Sequence, residues 1–289
     1  MTFIAMRRTF KIGTGTALLV LMAVFFVAPL AWLFLSTTKN TQQLFSLPVY
    51  KPPASISLGQ NVRSTFSVNG GTFSYWLVNS AIYGVVISVG STYLSALGGY
   101  AIAKLRFPGK RLVSGSVIGS LMIPTSVLVI PLFVLERAMR LTNTYQGVIL
   151  PSLVSAFGVF FMMVYVEEAV PTDLIEQARI DGAGEMRIFR RIALPLLRPG
   201  LVTLVLILFV AAWNNFFLPL VLLQNANLFP IPVGVDVWLG QLSTGGSIQP
   251  LYPEIIMASV FSVLPLLLLF PLLHRYVTRG FTLGALAGQ

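Results

Sequence analysis

The stretch EQARIDGAGEMRIFRRIALPLLRPG, residues 176–200, decides how the rest of the chain is read. It is charged, broken by glycines and closed by prolines, within a 289-residue chain that is 56% hydrophobic and 10% charged. The segment Glu167–Arg198 alone holds 11 of the 28 Asp, Glu, Lys and Arg. A soluble domain is about half apolar at most and about a quarter charged. The sequence around this stretch therefore has the composition of a membrane protein.

Working outward, Asp, Glu, Lys and Arg are missing from 12–38, 64–103, 112–135, 141–166, 199–235 and 255–274. Each gap is near or above the roughly 20 residues with which a helix crosses about 30 Å of hydrocarbon. A β-barrel would show short alternating segments, whereas these runs are continuously apolar. Backbone polar groups must be satisfied inside lipid, so the runs are helices. The expectation is an all-α membrane protein with six transmembrane helices in a single domain, 1–289. The spans fall at about 14–36, 74–103, 112–136, 145–168, 200–223 and 254–276. The longer connections are 37–73, 167–199 and 224–253.

Arg7, Arg8 and Lys11 precede an apolar run over 17–35, as in a signal peptide. That run exceeds the roughly 7–15 residues of a signal core and no small-x-small site follows, so it reads as a retained first helix. Placing the N-terminus inside puts 14 of the 19 basic residues on inner segments. This is the positive-inside bias. It predicts cytoplasmic N- and C-termini, and it accounts for the net charge of +10 without a nucleic-acid partner. Trp32, Trp76 and Trp238 then fall near the outer interface, where aromatic belts sit. Glu254 opens the last helix, where its carboxylate suits the positive end of the dipole. Pro124, Pro131, Pro151, Pro219, Pro265 and Pro271 lie inside the spans and are kink sites or simply tolerated. Gly115 and Gly119 form a GxxxG, which lets helices approach closely.

The most polar intramembrane stretch is AAWNNFFLPL, 211–220. Trp213, Asn214 and Asn215 sit midway along the fifth span. Adjacent carboxamides in hydrocarbon must be hydrogen-bonded or face water. They either pair with a neighbouring helix or line a polar pathway, where an indole face and amides suit a sugar.

Several chemistries are excluded. There is no GxxxxGK[ST], hence no P-loop for nucleotide. There is no HExxH and no Cys, and the single His, His274, reads as an interfacial residue. No acid lies within the hydrocarbon part of any drawn span, which disfavours an ion-coupled carrier. No nucleophile–base or metal set can be assembled for a membrane enzyme.

The opening stretch reads as a helix-turn-helix foot. Pro171 stops the fourth span, and Thr172 suits an N-cap, with Asp173 and Glu176 in the first turns. Leu174, Ile175 and Ala178 form one apolar stripe; Met186, Phe189 and Ile192 form another after the Asp181-Gly182-Ala183-Gly184 break. Such a foot lies on lipid headgroups or docks a partner.

Glu176, Ala178, Gly182, Ile192, Leu194 and Pro195 match, at every spacing, the EAA signature of ABC importer permeases. Asp181, Ala183, Phe189 and Pro199 extend the match to the carbohydrate branch. So do LRFPGKR (105–111), NS (79–80), WNNFFLPL (213–220) and RYVTRGFTLGALAG (275–288). Gln177 stands where the signature has its first Ala. The chain thus resembles a six-helix, maltose-type permease subunit over residues 14–288. The resemblance implies the ABC importer type I fold in a bacterial or archaeal cell membrane. It makes 167–199 a cytoplasmic coupling loop seated on a separate ABC ATPase dimer, which binds the ATP. It also implies a second permease subunit, an extracellular substrate-binding protein and a sugar substrate. Glu176, Ala178, Asp181, Gly182, Ala183, Phe189 and Pro195 become the expected ATPase-coupling residues, with no catalytic residue, cofactor or metal. Trp213, Asn214 and Asn215 become the expected pathway. A polyol, glycerol phosphate or peptide permease is the alternative within the family.

Overall fold

The computed structural model describes residues 2–243 and 251–286, with side chains described for 15–242, 251–269 and 271. His274, the basic side chains before 12 and after 274, and part of the 224–253 connection lie outside the described residues. The helices in chain order are α1 Thr2–Ser36, α2 Thr41–Ser46, α3 Leu58–Ser67, α4 Thr72–Lys104, α5 Lys110–Ser120, α6 Thr125–Ala138, α7 Tyr145–Ser152 and α8 Ala156–Ala169. They continue as α9 Thr172–Ile180, α10 Glu185–Ile188, α11 Leu194–Leu196, α12 Arg198–Trp213, α13 Phe217–Leu222, α14 Ile231–Ser243 and α15 Tyr252–Leu286. The described residues form no strand.

Among the described residues, 2–71 with 238–243 and 251–261 form one compact unit, and 72–237 with 262–286 form a second. In the first, Gly15–Ser36 is long and apolar enough to cross a membrane. The connection after it is ordered by buried polar groups. Lys39 is buried and donates from Nζ to Pro48 O at 3.3 Å and Val49 O at 3.0 Å. Asn61 donates to the carbonyls of Thr37 and Lys39 at 2.8 and 2.9 Å. Glu254, in the first turn of α15, accepts from Ser64 Oγ.

The second unit is organised around α4, which packs against α8 and α12. Gly84, Ser88, Ser91, Ser95 and Gly99 recur at spacings of three and four and are all buried. This small-residue seam lets helices approach closely. A Cβ on Gly99 would stand 2.7 Å from the Met163 backbone nitrogen on α8. The expected close approach at the GxxxG is not seen within the chain: among the described residues nothing lies within 4 Å of a Cβ at Gly115 or Gly119.

The spans are less regular than six uninterrupted helices. Four described helices are long and apolar enough to cross a membrane, or up to six if each bent pair is one span. The expected 112–136 helix is two, α5 and α6, meeting at 106°. Pro124 causes the break, because it restricts Ile123 to extended backbone and lacks an N–H. The expected 200–223 helix is also two. Residue 219 would have to donate to Asn215 O to continue α12, and Pro219 cannot. The 145–168 span pauses at 153–155, where Ser155 Oγ accepts from Gly158 N at 3.0 Å and caps α8.

Candidate functional site

The foot is α9 to α11. Its helix begins at Thr172, so Pro171 rather than Thr172 holds the capping position. The end of α9 is a Schellman turn: Gly182 N–H donates to Arg179 O at 3.0 Å and Ala183 N–H to Ala178 O at 2.9 Å. The turn needs Gly182 at φ +78°, a conformation that costs L-residues strain. Further on, Phe189–Ala193 widens to a π turn, with Leu194 N–H reaching Phe189 O. Pro195 explains it, having no N–H for Arg191 O and a ring that crowds that carbonyl.

Ile175, Ala178, Ile188, Phe189, Ala193 and Leu197 enter one core with Ala96 and Tyr100 of α4 and Met162 and Val166 of α8. The foot thus shares the core of the bundle. Ala178 faces the core of the bundle. One expectation is corrected: the second stripe is Ile188, Phe189 and Ala193, whereas Met186 is exposed and Ile192 half-buried. The free side carries Glu176, Gln177, Asp181 and Gly182 with Leu174, Met186 and Ile180, the last 85% exposed. Of the predicted coupling residues, Glu176, Asp181, Gly182 and Pro195 are exposed, Ala178 and Phe189 are buried, and Ala183 is half-buried.

A polar network that sequence reasoning missed ties the foot to α4. Arg179 Nε donates to Glu185 Oε1 at 2.7 Å, and Tyr100 OH donates to Glu185 Oε2 at 3.4 Å. The hydrogen bond from Arg179 to Glu185 holds the guanidinium above its ordinary range, outweighing slight desolvation. Lys104 Nζ donates to Thr172 Oγ1 at 3.3 Å and pairs with Glu167 at 3.7 Å.

The opposite end of α4 holds a second polar set. Trp76, Asn79, Ser80 and Tyr83 share one helical face. Trp76 Nε1 donates to Ala226 O at 2.8 Å, Tyr83 OH to Leu228 O at 3.1 Å, and Ile231 N–H to Ser80 Oγ at 2.8 Å. Asn79 Nδ2 donates to the carbonyls of Asn227 and Phe229 at 2.8 and 3.1 Å, while its Oδ1 accepts from Tyr145 OH at 2.6 Å. Trp76 is therefore an internal clamp residue, 2% exposed, and not a member of an interfacial belt. Asn79→Leu orphans two carbonyls and a hydroxyl, each a penalty of about 1–3 kcal/mol if left buried. Faster hydrogen exchange at 226–231, with the foot unaffected, is the expected result.

The interruptions of three spans meet at one cavity of about 400 Å³. Thr125 and Ser126 reach it from the start of α6, Ser152 from the end of α7, and Asn215 from the gap after α12, with Phe217 beside them. Among the described residues no ionisable side chain lines it. Trp213 is 3% exposed, stacked on Phe209 at 5.6 Å, and its indole N–H donates to Ser262 O at 2.9 Å. Asn214 is exposed and returns its amide to Val210 O at 2.8 Å. Asn215 is thus the member of the trio on the cavity wall, and Phe217, which sequence reasoning passed over, is the accessible ring there. Glu136, at the C-terminal end of α6, is buried, and its Oε2 has no hydrogen-bond partner among the described residues.

Interrupted spanning helices around a charge-free cavity, with a small foot and no nucleotide-binding motif, make a transport subunit of a membrane. The chain belongs to the family described as binding-protein-dependent transport system inner membrane component, whose model matches residues 95–283. It is 30% identical over 278 residues to the arabinooligosaccharides transport system permease protein AraQ of Bacillus subtilis, covering 94% of this chain and 95% of AraQ. The trehalose transport system permease protein SugB of Mycobacterium tuberculosis is 32% identical over 254 residues, covering 85% of this chain and 90% of SugB. The sn-glycerol-3-phosphate transport system permease protein UgpE of Pectobacterium atrosepticum is 32% identical over 279 residues, with 95% and 96% covered. Among solved structures, a bacterial ABC transporter involved in the import of the acidic polysaccharide alginate superposes with a TM-score of 0.81. At 23% identity, over 93% of this chain and 96% of that one, it shares the fold.

Proposed function

We infer that this chain is the permease subunit of an ATP-driven ABC importer for a neutral sugar or oligosaccharide. It works with a second permease subunit, an ATPase dimer that binds the ATP, and an extracellular binding protein. It is one permease domain crossing the cell membrane with both termini cytoplasmic, and the 167–199 foot is the coupling element. The observation that carries this reading is the free side of the foot. Ile180 stands 85% exposed at the Schellman turn, beside Glu176 and Asp181, while the opposite side is locked into the bundle. A rigid knob of this kind suits a groove on an ATPase. Glu176 and Asp181 suit basic partners there; Ala178, Ala183, Phe189 and Pro195 hold the knob's shape.

The cavity supports the sugar. Asn215 with the Ser and Thr hydroxyls can bond hydroxyl groups, and Phe217 offers an apolar face to C–H surfaces. Trp213 anchors the interrupted helix, and Asn214 continues the pathway. An anion such as glycerol phosphate would find no cation on this wall. The connection 224–253 is the docking surface for the binding protein, over the part that the structure describes.

The test is Glu176→Lys with Ile180→Asp in the assembled complex. The expected result is that ATP-dependent uptake falls at least about tenfold, the equivalent of about 1.4 kcal/mol of coupling, while the subunits still co-purify. Normal uptake would remove the coupling role. Buried Glu136 is the one described feature that favours an ion-coupled carrier. Glu136→Gln is expected to leave uptake strictly dependent on ATP and indifferent to a proton gradient.

A further inference from the structure

We propose that the groove between α4, the foot and the start of α12 binds the headgroup of an anionic phospholipid. The groove measures about 390 Å³. Arg190 of the foot and Arg198, the first residue of α12, both line it. Neither forms an ion pair among the described residues, where the acids of the foot network are taken up by Arg179 and Lys104. Thr92, on the α4 wall, is 4% exposed, and its Oγ1 has no hydrogen-bond partner among the described residues. A buried hydroxyl without a partner is costly. A phosphate accepting from the two guanidinium groups would pair both cations, and rotation of the Thr92 side chain, which lines the groove, would let its hydroxyl donate as well.

The remaining wall is apolar, including Val89, Leu201 and Val205. From the groove, Tyr93, Val89, Val85 and Val78 continue along one face of α4 and are 42%, 53%, 52% and 57% exposed. Charge at one end and an open apolar track running from it match a lipid, with its headgroup at the arginines and an acyl chain along α4. A free phosphate would use only the charged end. The depth agrees: Arg198 opens a spanning helix, so the pair lies at the level where headgroups sit. An arginine near an anionic surface contributes about 1 kcal/mol, or about a fivefold preference each.

The experiment reconstitutes the whole complex in nanodiscs of phosphatidylcholine with phosphatidylglycerol and counts retained lipids by native mass spectrometry. The expected result is phosphatidylglycerol enriched over its bulk share by about fivefold or more. The enrichment is lost in Arg190→Gln/Arg198→Gln and kept in Arg190→Lys/Arg198→Lys. If the glutamine pair fails to assemble, Thr92→Val removes one hydroxyl at constant shape and is expected to reduce the enrichment. Enrichment unchanged in the glutamine pair or in Thr92→Val overturns the proposal. So does inorganic phosphate that displaces the lipid at millimolar concentration, which would make this a site for a soluble anion. Glutamine variants that lose ATPase coupling with no change in retained lipid overturn it too, and assign the arginines to the ATPase contact.

Discussion

Gly182→Val is expected to reduce ATP-coupled uptake at least about tenfold while leaving the chain inserted and its bundle intact. A left-handed residue costs an ordinary side chain about 1–2 kcal/mol and a β-branched one more. That strain falls on the two hydrogen bonds that close α9, from Gly182 to Arg179 and from Ala183 to Ala178. Among the described residues no atom lies within 4 Å of a Cβ at this position, so the substitution adds no clash there and isolates the backbone effect. The tip bearing Ile180 and Glu176 then loses its fixed direction. Gly182→Asn tolerates the same φ and is expected to retain most of the uptake. Parallel measurement of uptake, ATPase activity and proteolysis across 176–186 separates the cases. Equal uptake in both variants would mean that the turn does not set coupling.

Gly99→Leu is expected to have the larger effect on stability. The Cβ alone would lie 2.6 Å from Met162 Cβ and 2.7 Å from the α8 backbone. Rearranging a side-chain tip cannot relieve a contact with main chain, so α4 and α8 must separate along their shared core. Overpacking costs about 1–3 kcal/mol where side chains can adjust, and this site exceeds that range because the obstacle is backbone. The expected readout is loss of the assembled complex in size-exclusion chromatography, with Gly99→Ala intermediate. Gly115→Leu, in open surroundings, is the control and is expected to assemble normally. Assembly of the Gly99→Leu complex at wild-type yield would show that α4 and α8 do not pack as described.

The helical class, the six apolar runs and the foot were legible because charge is so sparse that its gaps measure membrane crossings. Gly182 was legible because a turn that needs positive φ leaves a mark on one residue. The interruptions at Pro124 and Pro219 were half legible. Proline announces a lost hydrogen bond, but whether a helix kinks or stops depends on what the freed carbonyl meets in three dimensions. The clamp of Trp76, Asn79, Ser80 and Tyr83 was not legible, because apart from Tyr145 its partners are backbone carbonyls and one backbone N–H some 150 residues away, which carry no side-chain signature. The seam on α4 was overlooked for a related reason: its small residues mix Ser with Gly. The sequence instead presents the simpler GxxxG at Gly115 and Gly119, where no atom of the described residues comes within 4 Å of an added Cβ. The burial of Trp213 and the place of Phe217 on the cavity wall go with the interruption after α12, which the sequence alone does not locate.

Unlike the interrupted spans that line the cavity, α4 runs unbroken for 33 residues, about 50 Å end to end. Its neighbours are jointed and can flex where they break. It grips the foot with Tyr100 and Lys104, and the 226–231 backbone with Trp76, Asn79, Ser80 and Tyr83. A stiff push-rod fastened at both ends has no slack. The foot and the distant segment therefore cannot be set independently, and a tilt imposed at one must arrive at the other.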